Sequence, residues 1–384
     1  MLKVKLTRDL RKSLLRGHPW VYKQAVEPQK KTNRVEMCEV VDKKSKNVAW
    51  GYYDPNSPLA VRVLSLEKKP PNKAYFQKIM DQALSLRKSL FSEGTNCFRL
   101  FNGEGDGLPG LVCDVYADVA VIQFDGKGPF EFWDQEFIAS WLIEKEVCKG
   151  VYFKPRKSDQ LEPQEWGSVP TDNEVLVKEN GISFLVNFRD GQKTGFFLDQ
   201  RDNRQYLSKL SKDKSLINLF SYTGGFSLYA GLGGASKVLS VDLSEPALDL
   251  AQRSWEQNSF RGNHETLSVD IFKFLETVDE KWDMVMVDPP SLTHSEKNKP
   301  QAVQNYVELF SKSAQRVQAG GDLFLSSCSS HISFQDFFEI INESLGLARR
   351  KGRIYRVSGQ GADHPFPHVC PELRYLKFVH LKID

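Results

Sequence analysis

The chain has 384 residues, of which 40% are hydrophobic and 26% charged, a composition typical of a globular protein with two or three domains. No segment approaches the roughly 18 consecutive apolar residues of a membrane span, and the charged first residues lack the apolar core of a signal peptide. We therefore expect a cytoplasmic protein that does not associate with membranes. The six cysteines are scattered without a C-x-x-C pair, which disfavours both a metal site and a disulfide framework.

The charge is distributed unevenly along the chain. Residues 1–70 hold 16 Lys and Arg against 7 Asp and Glu, a net charge of +9, whereas the remaining residues have a net charge of −6. A basic segment of this kind favours a partner that carries many phosphates, although lysine and arginine are also common on solvated surfaces.

The predicted elements divide the chain into three parts. Residues 1–70 contain short β-branched and aromatic runs between turn formers, which predict a β-rich module with strands at 35–41, 48–53 and 59–66. After Pro70 and Pro71 an amphipathic helix begins a central α+β module, with strands expected within 111–124, at 151–154 and within 175–188, and a helix at 132–146. From Phe196 onward strands alternate with helices, which predicts a parallel sheet.

The strongest local motif is a strand that runs into a glycine turn. Residues 216–220 form a buried strand, and residues 223–225 (Thr-Gly-Gly) follow it at the start of a helix. Glycine allows the backbone to approach a ligand at the carboxyl edge of a parallel strand. The next two strands end in the acids Asp242 and Asp270, of which Asp242 is suited to accept the ribose hydroxyls of a nucleoside cofactor.

Two cofactors share this geometry, nicotinamide dinucleotides and S-adenosylmethionine. A dinucleotide requires the G-x-G-x-x-G spacing, which residues 222–226 lack. S-adenosylmethionine has no phosphate, and a looser glycine turn with acids at two successive strand ends suits it better. We therefore expect S-adenosylmethionine, with a nicotinamide oxidoreductase as a less favoured alternative. The remaining alternative is an α/β core in which these residues only make turns.

A fourth strand, residues 282–287, leads into Asp288, Pro289 and Pro290. Two prolines cannot continue a strand ladder, so the chain must leave the sheet here and hold Asp288 at its carboxyl edge. Ser291 follows, where amine methyltransferases of this class typically have an aromatic residue that stacks on the base. Methylation of an exocyclic amine is therefore less expected.

After a helix predicted at residues 301–317 and closed by Gly320 and Gly321, a fifth strand at residues 322–327 ends in Cys328, beside the expected cofactor pocket. Carbon 5 of a pyrimidine is too poor a nucleophile to take a methyl group directly. A thiolate that adds at carbon 6 makes carbon 5 enamine-like, so that it can attack the sulfonium methyl group. A single cysteine at a strand end is usually structural, and the hypothesis therefore depends on the neighbouring acid and cofactor strands.

Several motifs together resemble the large-subunit rRNA cytosine-C5 methyltransferase I family. They occupy residues 16–21, 102–110, 193–201, 218–226, 288–290, 327–329 and 362–365. Because these stretches are spread over nearly the whole chain, the resemblance is far more specific than a single motif.

The resemblance implies an α/β protein with a PUA domain at residues 1–70, a central α+β domain at 71–190 and a Rossmann-like, seven-stranded class I methyltransferase domain at 191–384. It implies that Cys328 is the nucleophile for a cytosine of 23S rRNA and that Asp288 faces the base. The cofactor contacts that it implies are Gln200, Phe220, Ser221, Tyr222, Thr223, Gly224, Gly225, Asp242, Leu243, Asp270, Ile271, Asp288 and Pro289.

PUA domains generally bind structured RNA, which agrees with the positive charge of residues 1–70. We expect Arg11, Lys12 and Arg16 to contact phosphates, and His18 and Trp20 to stack on bases. Trp20 is equally interpretable as a core residue. The expected partner is RNA of the large ribosomal subunit or of an assembly intermediate, and the oligomeric state is left open, with a homodimer as one option.

The target base is also left open. The family commonly has lysine after Asp-Pro-Pro, whereas Ser291 and the residues up to Lys297 are more similar to a related rRNA guanine-N7 methyltransferase domain. Cys328 favours cytosine, because N7 methylation needs no covalent nucleophile. A non-catalytic RNA-binding assembly factor with the same fold is a further alternative. The group that removes the carbon-5 proton is undecided between Asp288, water and His364.

Overall fold

The computed structural model describes residues 1–28, 32–156, 161–293 and 295–384. They form two compact units, each assembled from separate stretches of the chain. The first unit comprises Met1–Val175, Asn187–Gly195 and Ala362–Leu373, and the second comprises Leu176–Val186, Phe196–Gly361 and Arg374–Asp384. The domain boundaries at residues 70 and 190 stay a prediction.

The N-terminal part of the first unit is a five-stranded sheet. Its elements are β1 (Leu2–Lys5), α1 (Arg11–Leu15), β2 (Trp20–Val21), β3 (Glu36–Val41), β4 (Asn47–Tyr53) and β5 (Val61–Ser65). The strand order is β1-β3-β4-β5-β2, with β1 parallel to β3 and the other pairs antiparallel. β-Branched side chains such as Val4, Val40 and Val61 fill the core, as is typical of short strands.

A second sheet completes the first unit. Its elements are α2 (Lys73–Leu90), β6 (Cys97–Asn102), β7 (Leu111–Tyr116), β8 (Val119–Phe124), α3 (Lys127–Phe132), α4 (Gln135–Glu144), β9 (Gly150–Phe153) and β10 (Gln164–Gly167), in the strand order β10-β9-β8-β7-β6. The helix predicted at 132–146 corresponds to α4, and a further helix that the sequence did not predict, α3, precedes it. Trp133 is extended, and Asp134 begins a new helix by accepting the backbone N–H of Phe137.

Two of the sequence motifs pack against each other inside the first unit. A Cβ at Gly105 would lie 1.8 Å from the carbonyl oxygen of Pro365, so that only glycine fits there. The acid that follows it, Asp106, accepts two hydrogen bonds from the buried guanidinium of Arg87, at 2.6 and 2.7 Å. The glycine-rich stretch at 102–110 and the Asp-His-Pro turn therefore have a structural role in this unit.

The second unit contains a β-hairpin and a large sheet. The hairpin consists of β11 (Glu174–Glu179) and β12 (Ile182–Asn187). The sheet and its helices are α5 (Arg201–Ser208), β13 (Ser215–Leu219), α6 (Gly225–Leu232), β14 (Lys237–Asp242), α7 (Glu245–Glu256), β15 (Asn263–Ser268), α8 (Ile271–Thr277), β16 (Trp282–Val287), α9 (Lys299–Gln315), β17 (Val317–Ser327), α10 (Phe334–Leu347), β18 (Gly352–Ser358) and β19 (Lys377–Ile383).

The large sheet has seven strands in the order β15-β14-β13-β16-β17-β19-β18. The first five are parallel, and β19 is antiparallel to both of its neighbours. Consecutive residues of β13 face opposite cores: Ile217 packs in the cluster that contains Leu309 of α9, and Leu216 in the cluster that contains Phe226 of α6. Both faces are therefore covered, as parallel sheets require. This architecture confirms the predicted fold class.

The strand β17 extends further than predicted. The sequence predicts that Gly320 and Gly321 close a helix, whereas α9 ends at Gln315 and both glycines lie within β17. Gly320 has a φ angle of +75°, and the pairing of β16 with β17 changes register in this region. The glycines therefore accommodate an irregular strand.

No helix among the described residues has both the length and the hydropathy needed to cross a bilayer.

Candidate active site

The residues predicted to bind the cofactor and to take part in catalysis lie at one edge of the seven-stranded sheet. The parallel strands β13 to β17 all end there. They are followed by the loop at residues 220–225 after β13, by Asp242 at the end of β14, and by Asp270, Asp288 and Cys328 after β15, β16 and β17. The carboxyl edge is where open α/β sheets bind their ligands.

The loop between β13 and α6 has an uncommon backbone conformation. Phe220, Tyr222 and Gly224 have positive φ angles of 59°, 47° and 75°. A Cβ at Gly224 would lie 2.8 Å from the Cβ of Ala251 in α7, so a larger residue would have to displace that helix or the loop. The close approach of α7 therefore determines the shape of the loop.

Two buried hydroxyls of this loop have no hydrogen-bond partner among the described residues. They belong to Ser221 and Thr223, both of which are buried. Buried polar atoms are normally satisfied, so unpaired oxygens at a ligand-binding edge indicate groups that a ligand would complete. The amino and carboxylate groups of S-adenosylmethionine fit this requirement.

Asp242 supports the loop and also faces the edge. Its Oδ2 accepts the backbone N–H of Tyr222 at 2.8 Å, and its Oδ1 accepts that of Ser244 at 2.9 Å. Each carboxylate oxygen has a second lone pair, so Asp242 keeps the capacity to accept ribose hydroxyls. The neighbouring Leu243 is 67% exposed and offers an apolar surface to a flat ring such as adenine.

Asp270 and Ile271 have different surroundings. The half-buried Asp270 caps α8, and its Oδ1 accepts the backbone N–H of Lys273 at 3.0 Å. The Ile271 side chain lies in the main hydrophobic core. A contact of Ile271 with a cofactor would therefore come from its backbone, whereas Asp270 still has acceptor capacity on its carboxylate.

A chain of buried polar side chains runs beneath the loop. Asn218 Nδ2 donates to Ser227 Oγ at 2.9 Å, and Ser227 Oγ lies 2.7 Å from Ser240 Oγ. Ser240 Oγ lies 2.8 Å from Nε2 of His264. Burial lowers the pKa of His264 to about 4, so its imidazole is neutral at pH 7. These contacts connect β13, α6, β14 and β15 directly below the candidate cofactor site.

Gln200 bridges two strand ends at the same edge. Its Nε2 donates to Asp288 Oδ2 at 3.1 Å and to Ser326 Oγ at 2.9 Å. Its Oε1 accepts from Asn203 at 2.7 Å, which fixes the orientation of the amide. Both amide donors of this buried side chain are therefore used within the protein, and its geometry is that of a residue that positions Asp288.

A buried ion pair anchors the helix that follows Gln200. The carboxylate of Glu179, in β11, lies 3.0 Å from Arg201 Nε and 2.7 Å from Arg204 Nη2. All three side chains are almost inaccessible to solvent. Removal of one partner would leave an uncompensated buried charge, so this pair holds α5, and with it Gln200, in place.

The turn after β16 holds Asp288 rigidly. Asp288 is half-buried, and its backbone N–H donates to the Leu219 carbonyl of β13 at 3.3 Å. Pro289 is buried behind it. The Ser291 hydroxyl donates to the Thr293 carbonyl at 2.7 Å and so closes the turn. His294, in the stretch that resembles the guanine-N7 enzymes, lies outside the described residues.

Cys328 is half-buried and directly follows β17. The preceding Ser327 pairs with Lys377 across the antiparallel β17–β19 ladder, and its hydroxyl lies 3.0 Å from the Tyr306 hydroxyl. Burial raises the pKa of Tyr306, and negative charge on Cys328 and Asp288 raises it further. The thiol, the carboxylate and the phenol are therefore close enough to interact electrostatically.

Three residues of this region were not predicted from the sequence. The first is Ser326, which accepts a hydrogen bond from Gln200. The second is Tyr306, whose pKa is raised by negative charge on Cys328 and Asp288. The third is Lys377, which pairs with Ser327. Lys377 had only a weak signal, because it lies between the apolar residues Leu376 and Phe378, where lysine is almost never fully buried unless it is paired.

The basic residues predicted to bind RNA lie on or beside α1 in the first unit. Lys12 and Arg16 are exposed. Arg11 is partly engaged, because its Nη1 donates to the Asn47 carbonyl at 3.2 Å and lies 3.5 Å from Asp42. Lys12 and Arg16 are thus the more accessible phosphate ligands.

The predicted aromatic RNA contacts are half-buried. Trp20 Nε1 donates to Glu104 at 2.8 Å, which gives Trp20 a structural contact within the first unit.

The potential metal-ligand atoms of His18, Cys370 and Glu372 lie within 4.8 Å of one another, a spacing compatible with a metal ion that no sequence motif indicated. The Cys370 thiol already donates to Glu372 at 3.4 Å.

His364, a candidate base in the sequence, lies in the first unit. Its ring is buried, and its Nδ1 is 2.9 Å from Asp363 Oδ1. Asp363 also accepts the backbone N–H of Arg99 at 3.0 Å. The imidazole is therefore part of the interior of the first unit.

Comparisons with known proteins agree with these features. A PUA-like domain model matches residues 4–66, and an S-adenosylmethionine-dependent methyltransferase model matches residues 153–371. The "Ribosomal RNA large subunit methyltransferase I" of Alteromonas mediterranea is 36% identical over an alignment of 381 positions that covers 95% of each chain. The "Ribosomal RNA large subunit methyltransferase" of Deinococcus radiodurans is 34% identical and covers 100% of this chain and 98% of its own.

Solved structures share the fold over the whole chain. A putative S-adenosylmethionine-dependent methyltransferase from Streptococcus mutans superposes with a TM-score of 0.86 at 24% identity, with 100% of both chains covered. A putative methyltransferase in complex with SAH gives a TM-score of 0.88 at the same identity and coverage. S-adenosylmethionine is the cofactor, as predicted. The chain belongs to the ribosomal RNA large subunit methyltransferase I family of S-adenosylmethionine-dependent methyltransferases, with a PUA-like N-terminal domain.

Proposed function

We propose that this protein methylates RNA of the large ribosomal subunit and forms 5-methylcytosine through a transient bond between Cys328 and carbon 6 of the base. One observation carries the cytosine assignment. Cys328 is half-buried after β17, next to the strand that ends in Asp288, and the remaining parallel strands end in the candidate cofactor residues. A thiol in this position is a suitable nucleophile, and methylation of a ring nitrogen would not need one.

The proposed reaction starts with the Cys328 thiolate. Its sulfur forms a bond to carbon 6, and the electron pair of the 5,6 double bond moves to carbon 5. When bound, S-adenosylmethionine would supply an electrophilic methyl group, which carbon 5 takes up as the methyl–sulfonium bond breaks and S-adenosylhomocysteine is left. Carbon 5 then gives its proton to Asp288 or to a water molecule, the electron pair of that C–H bond re-forms the 5,6 double bond, and the carbon–sulfur bond breaks to release the thiolate.

We assign the cofactor contacts to the loop at residues 220–225 and to the strand ends beside it. The unpaired hydroxyls of Ser221 and Thr223 support a role in binding the amino acid part of the cofactor. Asp242 would accept the ribose hydroxyls, and the exposed Leu243 would cover the adenine. Asp270, the backbone of Ile271 and Pro289 would complete the pocket.

Asp288 is assigned to orient the base. A carboxylate accepts a hydrogen bond from the exocyclic amino group of cytosine. The hydrogen bond from Gln200 at 3.1 Å and the rigid proline turn hold this carboxylate in one position. A fixed acceptor next to the thiol would present carbon 6 to sulfur with a defined geometry, which is an efficient source of rate enhancement.

The RNA contacts are assigned to the N-terminal β-rich part, within the proposed domain at residues 1–70. The exposed Lys12 and Arg16, with Arg11 beside them, support binding of phosphates. His18 and Trp20 would stack on unpaired bases if their present contacts open. The central domain at 71–190 and the methyltransferase domain at 191–384 complete this organisation, and a homodimer is compatible with it.

Methylation of guanine N7 is the second candidate. Ser291 favours it, because this residue occupies the place where cytosine-C5 relatives commonly have lysine. In the structure the Ser291 hydroxyl closes a turn by donating to Thr293 at 2.7 Å, which is a sufficient structural reason for its presence. We therefore prefer cytosine.

The adduct itself is the test of this proposal. A transcript of large-subunit rRNA in which cytidine is replaced by 5-fluorocytidine would be incubated with the protein and S-adenosylmethionine. Fluorine at carbon 5 cannot leave as a proton does, so the bond to Cys328 should persist and the protein should migrate with the RNA in a denaturing gel. Cys328→Ala should form no such species. Absence of an adduct with the unaltered protein, under conditions in which it methylates ordinary transcript, would contradict the cytosine mechanism.

A further inference from the structure

We propose that Lys377 is a positioning residue that acts as the buried counter-ion of the Cys328 thiolate and fixes the turn that carries this thiol. The inference rests on the proposed function, in which Cys328 is the nucleophile. It adds a residue from the antiparallel strand β19 to a site that the parallel strands otherwise supply.

The position of Lys377 is set by the β17–β19 ladder. Lys377 pairs with Ser327, the residue immediately before Cys328. Its Nζ donates to the Ser329 carbonyl at 2.5 Å, and a second hydrogen bond of 2.7 Å goes to the Tyr375 carbonyl. The backbone of Lys377 therefore pairs with the residue before Cys328, and its ammonium group contacts the backbone of the residue after Cys328.

The burial of Lys377 is costly without a compensating charge. Only 1% of the residue is exposed, and lysine is almost never buried unless it is paired. Its two hydrogen-bond acceptors are neutral carbonyl groups, which satisfy N–H donors but do not neutralise the charge. A thiolate on Cys328 would supply the missing negative charge.

The electrostatics of the pair agree with this arrangement. Burial lowers the pKa of Lys377 to about 8, and the nearby Cys328 and Asp336 oppose that effect because negative charge on them favours the ammonium form. Asp336, at the start of α10, is already engaged by Lys299 at 2.9 Å. Cys328 is thus the anion whose charge Lys377 is best situated to balance.

The other titratable groups around the thiol make a cation more necessary. Asp288, after β16, is a carboxylate whose negative charge disfavours a second anion next to it. Tyr306, on α9, is buried with a raised pKa and stays neutral. Asp336 on α10 adds further negative charge. In a site with these acids, a thiolate needs a positive neighbour to form near neutral pH.

The test is the pH dependence of thiol alkylation by iodoacetamide in the full-length protein without RNA. The other five cysteines are buried, and Cys328→Ala measures whatever background they contribute. The unaltered protein should show a Cys328 pKa clearly below the value of about 8.5 for a free thiol. A Cys328 pKa at or above that value would overturn the inference, and this measurement is made with Lys377 unaltered.

Two substitutions of Lys377 separate charge from packing. In Lys377→Met the alkylation rate at pH 7 should fall about tenfold, because loss of a nearby positive charge raises the thiol pKa by about one unit. Lys377→Arg keeps the charge and should stay within about threefold of the unaltered protein. Lys382→Met is the matched control, since Lys382 lies on the same strand but is paired with Asp322 at 3.0 Å and should have no effect.

An unchanged alkylation profile in Lys377→Met, or an equal loss in the methionine and arginine variants, would contradict the counter-ion role. The readout does not involve methyl transfer. If Cys328→Ala still methylates RNA, the proposed function fails while the titration result stands. If methylation depends on Cys328 but the thiol titrates normally, only the role of Lys377 fails.

Discussion

Gln200 and Asp288 are joined by a hydrogen bond of 3.1 Å, although they are 88 residues apart in the chain. The same amide nitrogen of Gln200 also donates to Ser326 at 2.9 Å, so one buried side chain ties the ends of β16 and β17 together. Asp288 and Cys328 follow these two strand ends. The relative position of the proposed base-orienting carboxylate and the proposed nucleophile therefore depends on a residue that need not touch the RNA.

Loss of the hydrogen bonds made by Gln200 should lower the rate of the reaction more than it lowers the affinity for the cofactor. We expect Gln200→Ala to lower kcat by about 10- to 100-fold, because a misplaced carboxylate removes part of the orientation that the site provides. The affinity for S-adenosylmethionine, measured by calorimetry, should change much less. Gln205→Ala, an exposed glutamine on α5, is the control and should retain normal kcat. A Gln200→Ala protein with unaltered kcat would show that Asp288 needs no such support.

Asp242 should be a main determinant of cofactor affinity. We expect Asp242→Asn to weaken binding of S-adenosylmethionine by about 10- to 100-fold, since hydrogen bonds to a charged acceptor are each worth about 1.5–3 kcal/mol. The change also weakens the hold on the Tyr222 backbone N–H. Asp249→Asn, on the exposed face of α7, serves as the control. Equal affinities for the two variants, measured by calorimetry, would exclude Asp242 from the cofactor site.

Gly224 should tolerate no side chain. Its φ of +75° and the 2.8 Å between a Cβ and Ala251 predict that Gly224→Ala lowers the free energy of unfolding by about 1–3 kcal/mol and distorts the cofactor loop. Gly346→Ala is the matched control, because a Cβ at this helical position of α10 meets no atom within 4 Å. It should be neutral or stabilising by up to about 1 kcal/mol. Denaturant unfolding with and without S-adenosylmethionine distinguishes the two variants.

The buried His264 should make stability depend on pH. Its pKa is lowered to about 4 in the fold from a value of 6.5, so the unfolded chain binds a proton more readily. The stabilisation that comes from keeping it neutral is complete above pH 6.5 and is lost as the pH falls towards 4. This single group should reduce the free energy of unfolding by about 2 kcal/mol between pH 7 and pH 5.

His264→Gln should remove that component of the pH dependence. The variant can be less stable at both pH values, because its contact with Ser240 changes, but the difference between pH 7 and pH 5 should shrink by about 2 kcal/mol. Chemical denaturation at the two pH values measures it. An equal difference in both proteins would mean that His264 is protonated as easily in the fold as in solution.

The residues at the strand ends could be predicted because a parallel sheet brings successive carboxyl ends to one edge. The sequence predicts the positions of Asp242, Asp270, Asp288 and Cys328 in this way, each at the end of a predicted strand. The alternation of predicted strands and helices after Phe196 indicates a parallel α/β sheet, and the family resemblance implies its seven strands. Local sequence was sufficient here, because each residue is adjacent to the strand that carries it.

Residues that reach the site from distant strands could not be predicted in the same way. Lys377 lies on β19, and its proximity to Cys328 depends on the antiparallel pairing of β17 with β19, which local sequence does not reveal. The long β17 was also missed, since Gly320 and Gly321 usually end a helix and here lie within an irregular strand. In both cases tertiary pairing, rather than local propensity, determines the outcome.

The measurement that tests the account most directly is methyl transfer from labelled S-adenosylmethionine to large-subunit rRNA lacking its native modifications, with base-resolved analysis of the product. The unaltered protein should place the label in 5-methylcytosine, and Cys328→Ala should place none there while still binding the cofactor. Label in 5-methylcytosine at a normal rate with Cys328→Ala, or label in 7-methylguanine with either protein, would contradict the proposed role of Cys328.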